Sequence, residues 1–163
     1  MSTKNLSQYQ IGSIPDATGM KIGIVVAEWN SEVTFALRDA AVQTLLKHGV
    51  KENDIEIYHV PGSFELTAAA QMIAKSVPVD AIICIGCVIR GETPHFDYIC
   101  QGVTTGLTQL TIKYELPVIF GVLTTNNLEQ ALDRAGGKHG NKGVEAAVTA
   151  IRMITMKNKL LIS

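Results

Sequence analysis

The chain has 163 residues, of which 47% are hydrophobic and 18% charged, and a formal net charge of −1. Such a length suits one domain that buries about 70% of the surface its unfolded chain would expose. The balanced charge excludes a basic field for a nucleic-acid backbone, and apolar runs of under about ten residues are too short to cross a membrane. Residues 1–20 carry no basic stretch followed by an apolar block, so no secretory signal is expected. Three cysteines do not form a disulfide framework, and a reducing, cytoplasmic location is expected. The charged share lies below the usual quarter, which hints at association with further copies.

The opening arm, residues 1–20, is polar and punctuated by Gly12, Pro15 and Gly19. Ile22 to Ala27 is a continuous apolar run, as expected of a strand buried on both faces. From Glu32 to Lys47 the positions Val33, Leu37, Ala40, Ala41 and Leu45 recur at helical spacing, and Gly49 supplies a stop. Asp54 to Val60 reads as a second strand, ended by Pro61-Gly62, and Phe64 to Lys75 as a second helix. Ala81 to Ile89 is the clearest strand; the loop Arg90 to Phe96 follows, then a long helix to Tyr114. Pro117 to Leu123 is a fourth strand. Asn126 with Glu129 has capping-box spacing, so a short helix is expected there, stopping at Gly136-Gly137. A Gly-rich turn, Gly140 to Gly143, leads into a last helix with Val144, Val148, Ile151 and Ile154 aligned.

Strands alternating with helices through short connections imply right-handed crossovers and a mostly parallel sheet. The expected fold is a flavodoxin-like, three-layer α/β/α sandwich, a four-stranded parallel sheet with helices on both faces, formed by residues 21–163. Ligands of such sheets sit outside the carboxyl ends of the strands.

After the first strand comes Trp29, the only tryptophan, beside Asn30. It is either a partly buried packing residue or a flat platform for a planar ligand, with Asn30 offering donor and acceptor. After the second strand, Ser63, Phe64 and Glu65 open a helix. Glu65 there is accounted for by the helix dipole, or else joins backbone N–H groups in holding a polyhydroxy chain. After the third strand, Gly91 and Pro94 shape a loop whose N–H groups can face an anion. His95 follows and suits proton transfer near neutrality, although an ordinary exposed histidine also fits. Arg134, Lys138 and Lys142 among glycines either complement a helix C-terminus or hold a phosphate. Phe120, in mid-strand, is expected in the core.

Cys84 and Cys87 are three apart in a strand, so they point to opposite faces about 10 Å apart and share neither metal nor disulfide. No G-x-G-x-x-G follows the first strand, and the run 136–143 lacks the ending of a P-loop.

The segments KIGIVVAEWN, HVPGSFELTAAA, IGCVIRGETPHFDYIC, PVIFGVLTT and RAGGKHGNKGVEAA stand in order from Lys21 to Met153. Together they resemble the lumazine synthase family of riboflavin biosynthesis. The resemblance implies condensation of 5-amino-6-(D-ribitylamino)uracil with L-3,4-dihydroxy-2-butanone 4-phosphate, giving 6,7-dimethyl-8-ribityllumazine, phosphate and water, with no metal or organic cofactor. It assigns Trp29 to stacking on the pyrimidine, where many members carry Phe. Ser63, Phe64 and Glu65 match the segment holding the ribityl chain, and Cys87, Val88 and Ile89 the strand edge lining the uracil. Glu92 and Thr93 match the phosphate loop, and His95 the proton donor. Phe120 and Arg134 match groups inserted by a neighbouring subunit, with Arg134 on the phosphate. Lys142 and Glu145 fall where the family places charged residues near the site.

The resemblance further implies pentamers, which some members assemble into icosahedral shells, and riboflavin synthase as a partner. Residues 1–20 would add a strand to a neighbour's sheet, and Gly136 to Gly143 shows none of the insertion that shell-forming members avoid. Two rival readings are an archaeal-type riboflavin synthase and a non-catalytic flavin-binding or shell protein. A receiver module would need paired acids after the first strand, where this chain has only Glu28.

Overall fold

The computed structural model describes residues 7–9 and 11–161. Four strands form one parallel sheet: β1 (Ile22–Ala27), β2 (Ile55–Val60), β3 (Ala81–Ile89) and β4 (Val118–Thr125), in the order β2-β1-β3-β4. Among the described residues five α-helices accompany them: α1 (Ser31–Lys47), α2 (Leu66–Ser76), α3 (His95–Tyr114), α4 (Leu128–Leu132) and α5 (Lys142–Leu161). An antiparallel hairpin, β5 (Ala135–Gly137) with β6 (Gly140–Asn141), precedes α5.

The sheet divides two apolar cores by the simple alternation of strand side chains. On β1, Ile22, Ile24 and Val26 face α1 and α5, whereas Val25 faces α2 and α3. On β3, Ile83, Ile85 and Cys87 join the first core, and Ile82 and Cys84 the second. The expected opposition of Cys84 and Cys87 is therefore realised. The three-layer α/β/α sandwich agrees with the sequence-based expectation.

α1 and α5 lie in close contact on one face, where a Cβ on Gly143 would fall 1.8 Å from the Leu37 carbonyl oxygen. Only glycine permits that approach. α1 ends as expected at Gly49, where the Val50 N–H reaches back to the Leu45 carbonyl at 3.1 Å. The described part of the arm lies on the chain's own fold: Ile14, Ala17 and Met20 are buried in the first core. Tyr9 Oη meets His48 Nε2 at 2.9 Å. The pairing expected of residues 1–6 and 10 falls outside the described residues.

Four expectations are corrected. The long helix starts at His95 rather than after Phe96, because Pro94 at its N-cap has a fixed φ near −65° and no N–H to satisfy. The short helix is capped by Asn127, not Asn126: Asn127 Oδ1 accepts from Gln130 N–H, and Gln130 Oε1 accepts from Asn126 N–H. The helix ends at Leu132, and the glycines beyond it form the hairpin rather than a plain turn. Phe120 is not core. β4 is an edge strand, and Phe120 on it is 36% exposed although Val122 on the same row is buried in the second core.

Candidate functional site

At the carboxyl end of the sheet, the segments after β1 and β2, the end of β3 and the start of α3 enclose a cleft of about 160 Å³. Its walls are Trp29, Asn30, Ser63, Phe64, Cys87, Val88, Ile89 and His95, together with Ile99. Sequence reasoning singled out the first eight. It missed Ile99, although a position four residues after His95 lies on the same helical face.

Backbone ties continue the β1–β2 ladder beyond the strands and set the shelf. Glu28 N–H bonds Val60 O at 2.8 Å, and Trp29 N–H bonds Pro61 O at 3.0 Å. The Trp29 ring, 66% exposed, then lies over Gly62. Phe64, also exposed, rests on α3 near Gly102. Of the two readings of Trp29, the packing residue gives way to an uncovered ring on the wall of a cleft.

Asn30 adopts a left-handed backbone, φ 59°, and its Nδ2 donates to Cys87 O at 3.0 Å. Ser63 is buried, and among the described residues its Oγ has no hydrogen-bond partner. Glu65 is not part of the cleft wall; its Oε2 accepts from Gly62 N–H at 3.1 Å, closing the short 3₁₀ turn Ser63–Glu65. Burial pushes the Cys87 thiol up to about 11, and that of Cys84 up to about 12. Both stay neutral thiols at physiological pH and are poor nucleophiles.

The loop from Gly91 to Thr93 is exposed. Among the described residues, the N–H groups of Gly91, Glu92 and Thr93 bond to no other part of the chain. They open toward solvent beside the N-terminus of the 20-residue α3, the end that favours negative charge. Arg90 is committed elsewhere, donating to both carboxylate oxygens of Asp97 at 2.8 and 3.3 Å and stacking over Phe96.

The remaining candidates lie apart from this cleft. Phe120, Lys142 and Glu145 border a second recess of about 390 Å³ between β4 and α5, where Lys142 Nζ and Glu145 Oε2 are 3.0 Å apart. Arg134 follows α4 just before β5 and is half-buried. Among the described residues its guanidinium has no hydrogen bond or ion pair, whereas nearby Lys138 pairs with Asp133 at 3.0 Å. Another recess, of about 720 Å³, lies between the arm, α1 and Val144 of α5 and includes no strand end.

Fold and cleft together define a flavodoxin-like α/β protein with a cleft at the carboxyl ends of β1, β2 and β3. A sequence profile described as 6,7-dimethyl-8-ribityllumazine synthase matches residues 19–158. Similar proteins of that name include one from Parabacteroides distasonis, 57% identical, covering 93% of this chain and 94% of its own length. One from Porphyromonas gingivalis is 59% identical over 91% of this chain and 92% of its own. One from Bacteroides fragilis is 61% identical over 83% and 94%. The chain belongs to the 6,7-dimethyl-8-ribityllumazine synthase family. Neither rival reading, the archaeal-type riboflavin synthase or the non-catalytic flavin or shell protein, finds support among these matches.

Proposed function

We propose that the chain condenses 5-amino-6-(D-ribitylamino)uracil with L-3,4-dihydroxy-2-butanone 4-phosphate, and that each site is completed by a neighbouring copy. Family membership supports the reaction. One observation carries the shared site: the cleft on one chain holds the aromatic shelf and the imidazole but only about 160 Å³. That is below the roughly 300–1,000 Å³ of a small-molecule site, and two substrates must fit. Phe120 is exposed on an edge strand, and the Arg134 guanidinium has no partner among the described residues. These are the groups a neighbour would supply.

In this reading the pyrimidine lies on Trp29 with its edge against Cys87, Val88 and Ile89, beside Asn30. The segment Ser63–Glu65 receives the ribityl chain through its backbone and the Ser63 hydroxyl. The Gly91–Thr93 amides, with Glu92 and Thr93, face the phosphate from one chain and Arg134 from the next. The 5-amino group attacks the ketone, water leaves, and an imine forms. A proton leaves C3 of the ketone-derived chain as phosphate departs from C4 with its C–O bonding pair, giving an enol that becomes the C3 ketone. The ribitylamino nitrogen then closes the ring on that carbonyl with loss of a second water. His95, at the cleft wall, moves protons during dehydration and elimination. Amines and ketones condense unaided, so most of the acceleration comes from holding both substrates in register. Lys142 and Glu145 border the Phe120 recess and tune the charge where the second chain docks.

The same reading makes the protein a homopentamer or a multiple of it. Its N-terminal arm adds a strand to a neighbour's sheet, the usual way to satisfy an exposed edge. It also places the enzyme in the cytoplasm, with riboflavin synthase taking its product. None of the described helices is long and apolar enough to cross a membrane.

The direct experiment mixes the purified chain with both substrates and follows lumazine fluorescence and phosphate release, with light scattering for the assembly. Co-expressed His95→Ala and Arg134→Ala chains should recover activity above either variant alone, because some sites then pair an intact His95 with a neighbour's intact Arg134. No turnover by the wild-type chain would refute the reaction, and no recovery in mixed oligomers would refute the shared site.

A further inference from the structure

We propose that Gly62 is a positioning residue: the lack of a side chain there sets how the Trp29 ring faces the cleft. The backbone at Gly62, φ −141° and ψ 179°, is extended and open to any residue, so the turn itself does not demand glycine. The ring does. A Cβ at position 62 would stand 2.5 Å from Cε3 and 2.7 Å from Cζ3 of Trp29, with Glu65 Oε2 at 3.2 Å. Carbon atoms settle about 3.5–4.0 Å apart, so a methyl group there forces a displacement.

The backbone on both sides of that contact is tied. Trp29 N–H is held by Pro61 O at 3.0 Å, Glu28 N–H by Val60 O at 2.8 Å, and Gly62 N–H by the Glu65 carboxylate at 3.1 Å. The indole, by contrast, is 66% exposed and open to solvent on its far side. Faced with a methyl group at position 62, the ring moves and the backbone stays. Stability then changes little while the shelf leaves its place against the pyrimidine. Gly62 touches no substrate in this scheme and acts only through Trp29.

The inference rests on the proposed role of Trp29 as the pyrimidine shelf, and the test separates the two. Trp29 is the only tryptophan, so its emission reports the shelf alone. Three variants are needed: Gly62→Ala, Trp29→Phe, and the two combined. Phenylalanine lacks the second ring of the indole, whose atoms make the contact. The pyrimidine substrate is titrated alone for quenching of Trp29, and KM for each substrate, kcat and Tm are measured separately.

In the wild type the pyrimidine quenches Trp29. Gly62→Ala shifts the Trp29 emission and raises Kd and KM for the pyrimidine about tenfold, as expected for a displaced aromatic contact. Its KM for the ketone phosphate and its Tm stay near wild type. In the Trp29→Phe background the same substitution raises the pyrimidine KM by less than about threefold, because the interacting pair is already broken. Unchanged emission and pyrimidine KM in Gly62→Ala overturn the proposal, as does a loss undiminished in the Trp29→Phe background. If Gly62→Ala fails to fold, the combined variant decides. Folding there shows that the ring was the obstacle, and failure there shows a backbone requirement and overturns the proposal. A wild-type Trp29 blind to the pyrimidine at concentrations that saturate turnover removes the shelf itself, whatever Gly62 does.

Discussion

The Asn30 side-chain amide donates to the Cys87 carbonyl at 3.0 Å and so joins the segment after β1 to the end of β3. The β1–β3 pairing itself ends at Val26 and Ile85. Asn30 thus carries the tie past the point where the two strands part and the cleft opens. It does so from a left-handed backbone, φ 59°, a conformation that asparagine adopts more readily than most residues.

Two substitutions at Asn30 should separate these roles. Asn30→Gly removes the hydrogen bond but tolerates the backbone, and is expected to cost about 1 kcal/mol. Asn30→Ala adds the left-handed penalty, for a total of about 2–3 kcal/mol. Urea unfolding measures both, and an alanine variant as stable as the glycine variant would contradict the backbone part. Both should raise KM for the pyrimidine.

His95 lines the cleft without a hydrogen-bond partner among the described residues, so nothing in the chain orients its ring. His95→Ala should therefore reduce kcat by no more than about 100-fold, the low end for general acid–base assistance. Single-turnover lumazine formation measures it. Abolished activity in a folded variant would show that positioning alone is not the main source of rate.

The Arg134 guanidinium is available for an external anion, since no carboxylate of its own chain engages it among the described residues. Arg134→Ala should lose about 1.5–3 kcal/mol of charge-assisted binding, seen as a higher KM for the ketone phosphate and not for the pyrimidine. Steady-state kinetics with each substrate varied in turn would show it. An unchanged ketone KM removes Arg134 from the site.

His48, buried at the end of α1 against Tyr9, gives the fold a pH dependence remote from the cleft. Burial, helped by the neighbouring Lys47 ammonium, holds its pKa below the usual 6.5. The unfolded chain takes up a proton that the folded chain refuses. The His48 contribution is therefore complete above about pH 6.5 and is lost as pH falls from there through the lowered value. Urea midpoints should decline across that window in the wild type and less steeply in His48→Gln. Equal slopes would show that His48 does not carry the effect.

The strands around the site were legible because their residue types leave little choice. Ile22–Ala27 and Ala81–Ile89 are unbroken apolar runs bounded by loops, and both proved to be central strands. Smaller features were decided by competition between near-equal local options. Asn126 with Glu129 and Asn127 with Gln130 offer the same capping spacing. The structure uses the second pair, in a helix that buries Ala131 completely. The β5–β6 hairpin rests on glycines and two- or three-residue strands, which carry no hydropathy period to read. Phe120 looked like core because apolar mid-strand residues usually are, and only its place on the edge strand β4 exposes it.

Hydropathy periods, capping residues and the ordered family segments are properties of neighbours along the chain. They were enough to determine the alternation of strand and helix, the fold class, and the strand ends where chemistry should be sought. The sheet order β2-β1-β3-β4 arises from pairings between residues far apart in sequence, such as Val25 with Cys84. That order alone brings Trp29, Phe64 and His95 to one cleft and sets Phe120, Lys142 and Arg134 outside it, since no local pattern encodes which strands will lie side by side.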